Sequence, residues 1–159
     1  MKRGIAPAAE FVWSVESTRC PVSVIIAQRL VRKLCATKER YNLTKGEIEA
    51  LEKKANMSRL LAALKEEGVV GKDATWESIP FYKPKSSPEC EEGYKGRIGI
   101  HEVLTMTSAV RELALTNAPA VKIEDQARKE GMLTMLEDGI FQAAQGMTSI
   151  EEVFRVVSE

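Results

Sequence analysis

Neither sign of charge predominates in this chain: 23 Lys and Arg stand against 23 Asp and Glu in 159 residues. No overall field therefore draws it to nucleic acid or to an anionic membrane surface, and binding of that kind would have to be local. Long apolar runs are also missing. The longest, over residues 22–27 with Val24, Ile25 and Ile26 inside it, is far below the roughly 20 residues that span a bilayer. Met1-Lys2-Arg3 is followed by no apolar stretch, because Glu10, Glu16 and Arg19 interrupt, so no export signal is expected. Cysteine is scarce: Cys20, Cys35 and Cys90 form no even disulfide framework, which with the missing signal points to a reducing cytoplasm.

Chemistry-bearing motifs are as sparse. None of the ten glycines precedes Lys-Ser or Lys-Thr at the spacing of a phosphate-cradling loop. Gly93, Gly96 and Gly99 recur every third residue, but Gly93-Tyr94-Lys95-Gly96-Arg97-Ile98-Gly99 leads into a strand pattern instead of opening a helix. Backbone turning explains them better than phosphate binding. His101 is the only histidine and sits beside Glu102; on a strand such neighbours point to opposite faces, which disfavours acid/base or metal work by the pair. No G-x-S-x-G or H-E-x-x-H is present.

The cysteines carry more. A structural zinc site wants four ligands, commonly two C-x2-C pairs. Cys35 opens Cys35-Ala36-Thr37-Lys38 and Cys90 closes Ser87-Pro88-Glu89-Cys90, so Lys38 and Ser87 stand where the second and third ligands belong. Two ligands rarely hold zinc, and a vestigial site explains the spacing best. The charges of Lys83, Lys85, Glu89, Glu91, Glu92, Lys95 and Arg97 read as a solvated loop. Arg29 and Arg32 are either solvated or reach across a subunit boundary toward an anion.

Apolar residues Val22, Ile25, Ile26, Leu30 and Leu34, at three- and four-residue steps behind Pro21, predict an amphipathic helix over 22–34. A further short helix over 6–15 is predicted, broken off by Ser17 to Pro21. The capping box Thr44-Lys45-Gly46-Glu47 starts a helix near Lys45, and residues 58–67, closed by Gly68, complete a helical hairpin. Aromatic and β-branched residues at 76–82 and 97–106 predict two strands joined by a loop. Helices follow over 108–116, 123–130, 133–145 and 150–157. The last has a capping box from Ser149 to Glu152 and a stripe of Ile150, Val153, Phe154 and Val157.

Taken together these blocks resemble a known family. Ile25-Ile26-Ala27-Gln28-Arg29-Leu30-Val31-Arg32-Lys33-Leu34-Cys35, then Cys90 shortly before Gly93-Tyr94-Lys95-Gly96-Arg97-Ile98-Gly99-Ile100-His101-Glu102-Val103-Leu104, then Ala127, Gly131-Met132, Glu137-Asp138-Gly139 and Gly146 to Val153 are similar to the C-terminal region of type II secretion and type IV pilus assembly ATPases. The resemblance implies a cytoplasmic hexameric motor, peripheral to the inner membrane, with neighbouring subunits and membrane platform proteins as partners, and neither nucleic-acid binding nor membrane insertion. This chain would be the motor's tail. The family's Walker A loop, acidic boxes and histidine box precede its A-Q-R-L segment, so no catalysis and no cofactor are expected here; ATP and Mg belong to the parent. Candidate subunit-interface residues are Gln28, Arg29, Arg32 and Arg97. The family often carries two C-x2-C pairs, and the substitution by Lys38 and Ser87 leaves Cys35 and Cys90 as a degenerate metal pair, with zinc not expected.

The expected fold is α+β and mainly helical: a helical-bundle remnant of a RecA-like ATPase domain (residues 21–35 and 107–159) carrying an inserted antiparallel β and helical-hairpin module (36–106), preceded by a divergent or boundary segment (1–20). With no metal to close it, residues 38–92 are expected to be the variable, mobile part. The runner-up function is a small metal-binding interaction adaptor resting on Cys35 and Cys90. An enzyme built on His101 and Glu102 ranks last.

Overall fold

The structure, a computed structural model, describes residues 22–158. The short helix expected over 6–15, the segment 1–20 as a whole and Cys20 lie outside the described residues. Within them six helices and two small antiparallel sheets form an α+β fold.

The chain begins with β1 (Val24–Leu34), followed by β2 (Lys38–Asn42), α1 (Lys45–Glu52), α2 (Met57–Glu66), β3 (Pro80–Pro84) and β4 (Tyr94–Thr105). The helix expected over 22–34 is therefore a strand. β1 runs antiparallel to β4 from Val24 opposite Thr105 to Leu34 opposite Tyr94, with a bulge between Arg32 and Leu34. Its β-branched residues, Val24, Ile25, Ile26 and Val31, suit a pleated ribbon, and a distant partner strand overrides a weak helical spacing. The period misled because residues 24–30 are all exposed, so no buried face imposes alternation on them.

The strands expected at 76–82 and 97–106 exist as β3 and β4, but they pair elsewhere. β3 joins β2, with Tyr41 opposite Phe81 and Asn42 opposite Pro80, and β4 joins β1. β2 escaped the sequence reading because Lys38-Glu39-Arg40-Tyr41-Asn42 is mostly charged and polar; as one strand of a two-stranded pair it is covered on one side only. The hairpin helices match expectation. Thr44 and Glu47 make the reciprocal capping box of α1, and α2 ends at Gly68 with a φ of 68°, the left-handed geometry that suits glycine.

The remaining helices are α3 (Ser108–Leu115), α4 (Ala120–Lys129), α5 (Met135–Ala144) and α6 (Ile150–Val157). The main core joins α1, α2 and β3 to α5 and α6 through Leu51, Leu60, Leu64, Trp76, Ile79, Phe81, Ile140, Ala143 and Ile150. Trp76 closes it with its indole N–H donating to the Met57 carbonyl at 3.2 Å. A second cluster, Val31, Ile100 and Val156, lies under the β1–β4 ribbon. α5 and α6 meet at Gly139, where an added Cβ would lie 2.4 Å from Val153 Cγ1. Only glycine allows that approach.

Candidate functional site

α6 and β1 are joined by a buried carboxylate. Glu152 is 1% exposed and is reached from two elements. From β1, the Arg32 backbone N–H donates to Oε1 at 3.1 Å and Arg32 Nε to Oε2 at 3.0 Å. From α6 itself, Arg155 Nε and Nη2 donate at 2.9 and 2.7 Å. Burial alone would raise this carboxyl; the Arg155 and Arg32 donors outweigh it and hold it at about 2. Arg32 is held on further sides. Its guanidinium lies 4.3 Å over the Tyr94 ring, Tyr94 shares a 2.8 Å hydrogen bond with Ser149, and the Arg32 carbonyl accepts from Thr148 Oγ1 at 2.8 Å. The Ser149 cap forms, accepting from the Glu152 N–H at 3.2 Å. The reciprocal half of the expected box does not, because the Glu152 carboxylate is turned to the arginines.

A second buried carboxylate, Glu137, ties α5 to α2 and α4. It accepts from the backbone N–H of Asn56 and of Thr134, each at 2.9 Å, and from Arg128 Nη2 at 3.2 Å. Burial raises its pKa, but these donors outweigh the effect and leave the carboxyl below its ordinary value. Arg59 Nη1 adds a 2.6 Å bond to the Arg128 carbonyl. Asn56 and Arg59 lie in the 36–106 stretch, so Glu137 fastens that stretch to the terminal helices. In sequence the Thr134-x-x-Glu137 capping box could have flagged α5's start; nothing local shows that Glu137 also receives Asn56.

The four positions of the degenerate metal site are partly assembled. Cys35, Ser87 and Cys90 line one cavity of about 310 Å³. Cys35 and Cys90 are, however, joined as a disulfide with Cα atoms 6.7 Å apart, where no disulfide framework and a degenerate metal pair were expected. Lys38 turns away: its ammonium donates to the Gly146 carbonyl at 2.6 Å and lies 4.5 Å from the Tyr82 ring centre. Among the described residues no group of three or more His, Cys, Asp or Glu is placed to hold a metal ion.

The candidate interface residues divide. Arg32 is engaged internally, and Arg29 Nη1 donates to the Val156 carbonyl. Gln28 and Arg97 are exposed. His101 and Glu102 diverge as a strand demands. The His101 N–H donates to Asp138 at 2.8 Å, while Glu102 accepts from the Met135 N–H at 3.2 Å. His101, Asp138 and Glu130 border an open groove of about 470 Å³. The one hydroxyl there with a carboxylate partner, Thr107, donates to Glu130 at 2.7 Å and caps α3. Gly93 and Gly96 hold φ of 73° and 80°, turning the chain at the start of β4 as expected.

Residues 9–155 match the family model of the Type II/IV secretion system proteins. The chain belongs to that family. It is 35% identical over 138 residues to the type IV pilus assembly ATPase PilB of Pseudomonas aeruginosa, covering 87% of this chain and 21% of that protein. Type II secretion system protein E of Xanthomonas campestris is 38% identical, over 87% of this chain and 22% of the relative. The protein transport protein HofB homolog of Escherichia coli is 31% identical, over 91% and 26%. The chain thus spans about a fifth to a quarter of the length of these relatives. Among the described residues no helix is long and apolar enough to cross a membrane.

Proposed function

We propose that this chain is the C-terminal segment of a hexameric motor ATPase of type II secretion or type IV pilus assembly, that it works through contacts with neighbouring subunits and platform proteins, and that it performs no nucleotide chemistry itself. The observation that carries this reading is the family match over residues 9–155 in a sequence without a phosphate-cradling Gly-Lys-Ser/Thr loop. The geometry supports it: the strongest electrostatic constellations, at Glu152 and Glu137, are saturated by internal donors and fasten helices to strands. Arg97 remains exposed on β4 for a neighbour. Zinc has no role in this reading, since Lys38 is drawn to Gly146 and Cys35 is bonded to Cys90. ATP and Mg act in the parent motor, on the cytoplasmic side of the inner membrane.

The test is co-purification. The tagged chain, expressed in a bacterium that carries such a motor, is expected to retain the resident ATPase, and Arg97→Glu to retain less of it. Recovery of the chain alone, with pilus-driven motility and secretion untouched, would contradict the reading.

A further inference from the structure

The segment between β3 and β4 hangs on one covalent bond. From Lys85 to Glu92 the chain is exposed except at Ser87, which is half-buried, and Cys90, which is 7% exposed. Ser87 and Cys90 exchange backbone hydrogen bonds, each at 3.0 Å, in an isolated bridge around Pro88-Glu89, and a contact of that size holds no structure alone. The neck of the segment is closed at Gly93. Its carbonyl accepts from the Cys35 N–H at 3.0 Å, and it packs so closely on Lys85 that an added Cβ would lie 2.6 Å from the Lys85 backbone nitrogen. Beyond that neck the segment is tied back by the Cys35–Cys90 disulfide and by an ion pair of Glu92 with Arg32 at 3.4 Å. The ion pair is exposed on both sides and contributes little. Cys90 is therefore the buried anchor of the segment, and what anchors it is the bond to Cys35.

The bond is open to reagents without unfolding. Cys35 is half-buried, and both cysteines line the cavity of about 310 Å³ together with Lys33, Lys95 and Glu89. The two exposed lysines outweigh Glu89, so the local field attracts an incoming thiolate and stabilises a departing one. We propose that Cys35 and Cys90 form a reversible thiol–disulfide exchange site for a small dithiol, whose redox state sets whether residues 85–92 stay fastened to the end of β1. A thiolate of the reductant attacks Sγ of Cys35, the more exposed of the two residues. The S–S bond breaks, and its electron pair leaves on Cys90 Sγ, which takes up a proton. The second thiolate of the reductant then attacks the reductant's own sulfur in the mixed disulfide and departs with it as a cyclic disulfide. Cys35 leaves as a thiolate and is protonated, so two electrons and two protons have passed to the pair. Glutathione disulfide drives the reverse and leaves as two molecules of glutathione. The main core around Phe81 and the carboxylate clusters at Glu137 and Glu152 use neither cysteine, so reduction frees the segment and spares them. The inference stands on these contacts and not on the motor reading; either can fail without the other.

Thiol titration and hydrogen exchange of the full chain test it, with Cys20→Ser throughout so that Cys35 and Cys90 are the only cysteines left. As isolated in air, the chain is expected to show no free thiol. Dithiothreitol in native buffer should expose the thiols of Cys35 and Cys90, and glutathione disulfide should remove them again. On reduction the amides of residues 86–93 are expected to exchange at least about tenfold faster, whereas those of α2 and α5 should keep their protection. Cys35→Ser combined with Cys90→Ser should exchange over 86–93 like the reduced parent; if that variant does not fold, the reduced parent carries the measurement. Thiols that appear only in denaturant would make the bond a permanent staple, and thiols that glutathione disulfide cannot pair would remove the exchange site. Unchanged exchange over 86–93 would show that something else holds the segment, and faster exchange throughout α2 and α5 would make the bond a support of the whole fold. Each of these results overturns the proposal.

Discussion

The helical hairpin with β3, and the β1–β4 ribbon, are anchored to the same two terminal helices by different physics. The hairpin side shares a broad apolar core with α5 and α6. The ribbon rests on a smaller cluster, Val31, Ile100 and Val156 with Ile98, Met135 and Val157 packed against it, and much of what holds it is polar: Glu152 on Arg32, Asp138 on the His101 N–H, Glu102 on Met135. Burial of apolar area is non-directional, whereas buried charge is costly unless every partner is in place. The hairpin side should therefore respond to lost volume and the ribbon side to lost donors or acceptors.

The largest effect is expected in the main core. Phe81→Ala removes a fully buried ring and should cost about 4 kcal/mol in urea unfolding. Glu152→Ala should follow at roughly 3 kcal/mol, since it strips a buried acceptor from Arg32 and Arg155, both of which retain access to water. If Glu152→Ala proved neutral while Val31→Ala were severe, the contrast between the two regions would be wrong.

The same carboxylate sets an acid response. Its folded pKa of about 2 lies below the ordinary glutamate value of about 4.3, so the unfolded chain takes up the proton first. Its contribution is complete above the ordinary value and is lost as pH falls from there toward the folded one. Glu137, also depressed, adds in the same direction. Glu152→Gln should flatten the dependence of stability on pH in that window, and an unchanged slope would remove Glu152 from the account.

Where α5 meets α6, the two helices that both regions share, Gly139→Ala should cost about 2 kcal/mol by driving a methyl into buried Val153. Val153→Ala in the same chain should recover part of that loss, and purely additive costs would show that the clash is relieved elsewhere. Smallest of all, Leu30→Ala on the exposed part of β1 should change unfolding stability by less than about 0.5 kcal/mol, though it lies four residues from the Leu34 that is buried.

How much of this was legible in sequence follows the same division. Where a helix announces itself by a cap, as at Thr44 or Ser149, or by a closing glycine, as at Gly68, Gly131 and Gly146, local chemistry was sufficient and the element lies within a few residues of its expected place. β1 was misread because its outer half is unburied and carries no alternation. β2 was missed because its residues are polar, and the partners of β3 and β4 were missed because pairing is decided between segments far apart in sequence. At the candidate site, the half-motifs around Cys35 and Cys90 were read as a degenerate metal pair, and no sequence signal pointed to the disulfide that joins them. The capture of Lys38 by Gly146 and of Glu152 by Arg32 had no local signal, since each depends on an element more than a hundred residues away.

Calorimetric titration of the purified chain with Mg·ATP, followed by phosphate release on the same sample, tests the central claim most directly. No saturable heat and no phosphate are predicted, because the sequence carries no phosphate-cradling Gly-Lys-Ser/Thr loop and the buried carboxylates of the described residues, Glu137 and Glu152, are held by internal donors. Saturable binding with turnover would contradict the account and place motor chemistry within these 159 residues.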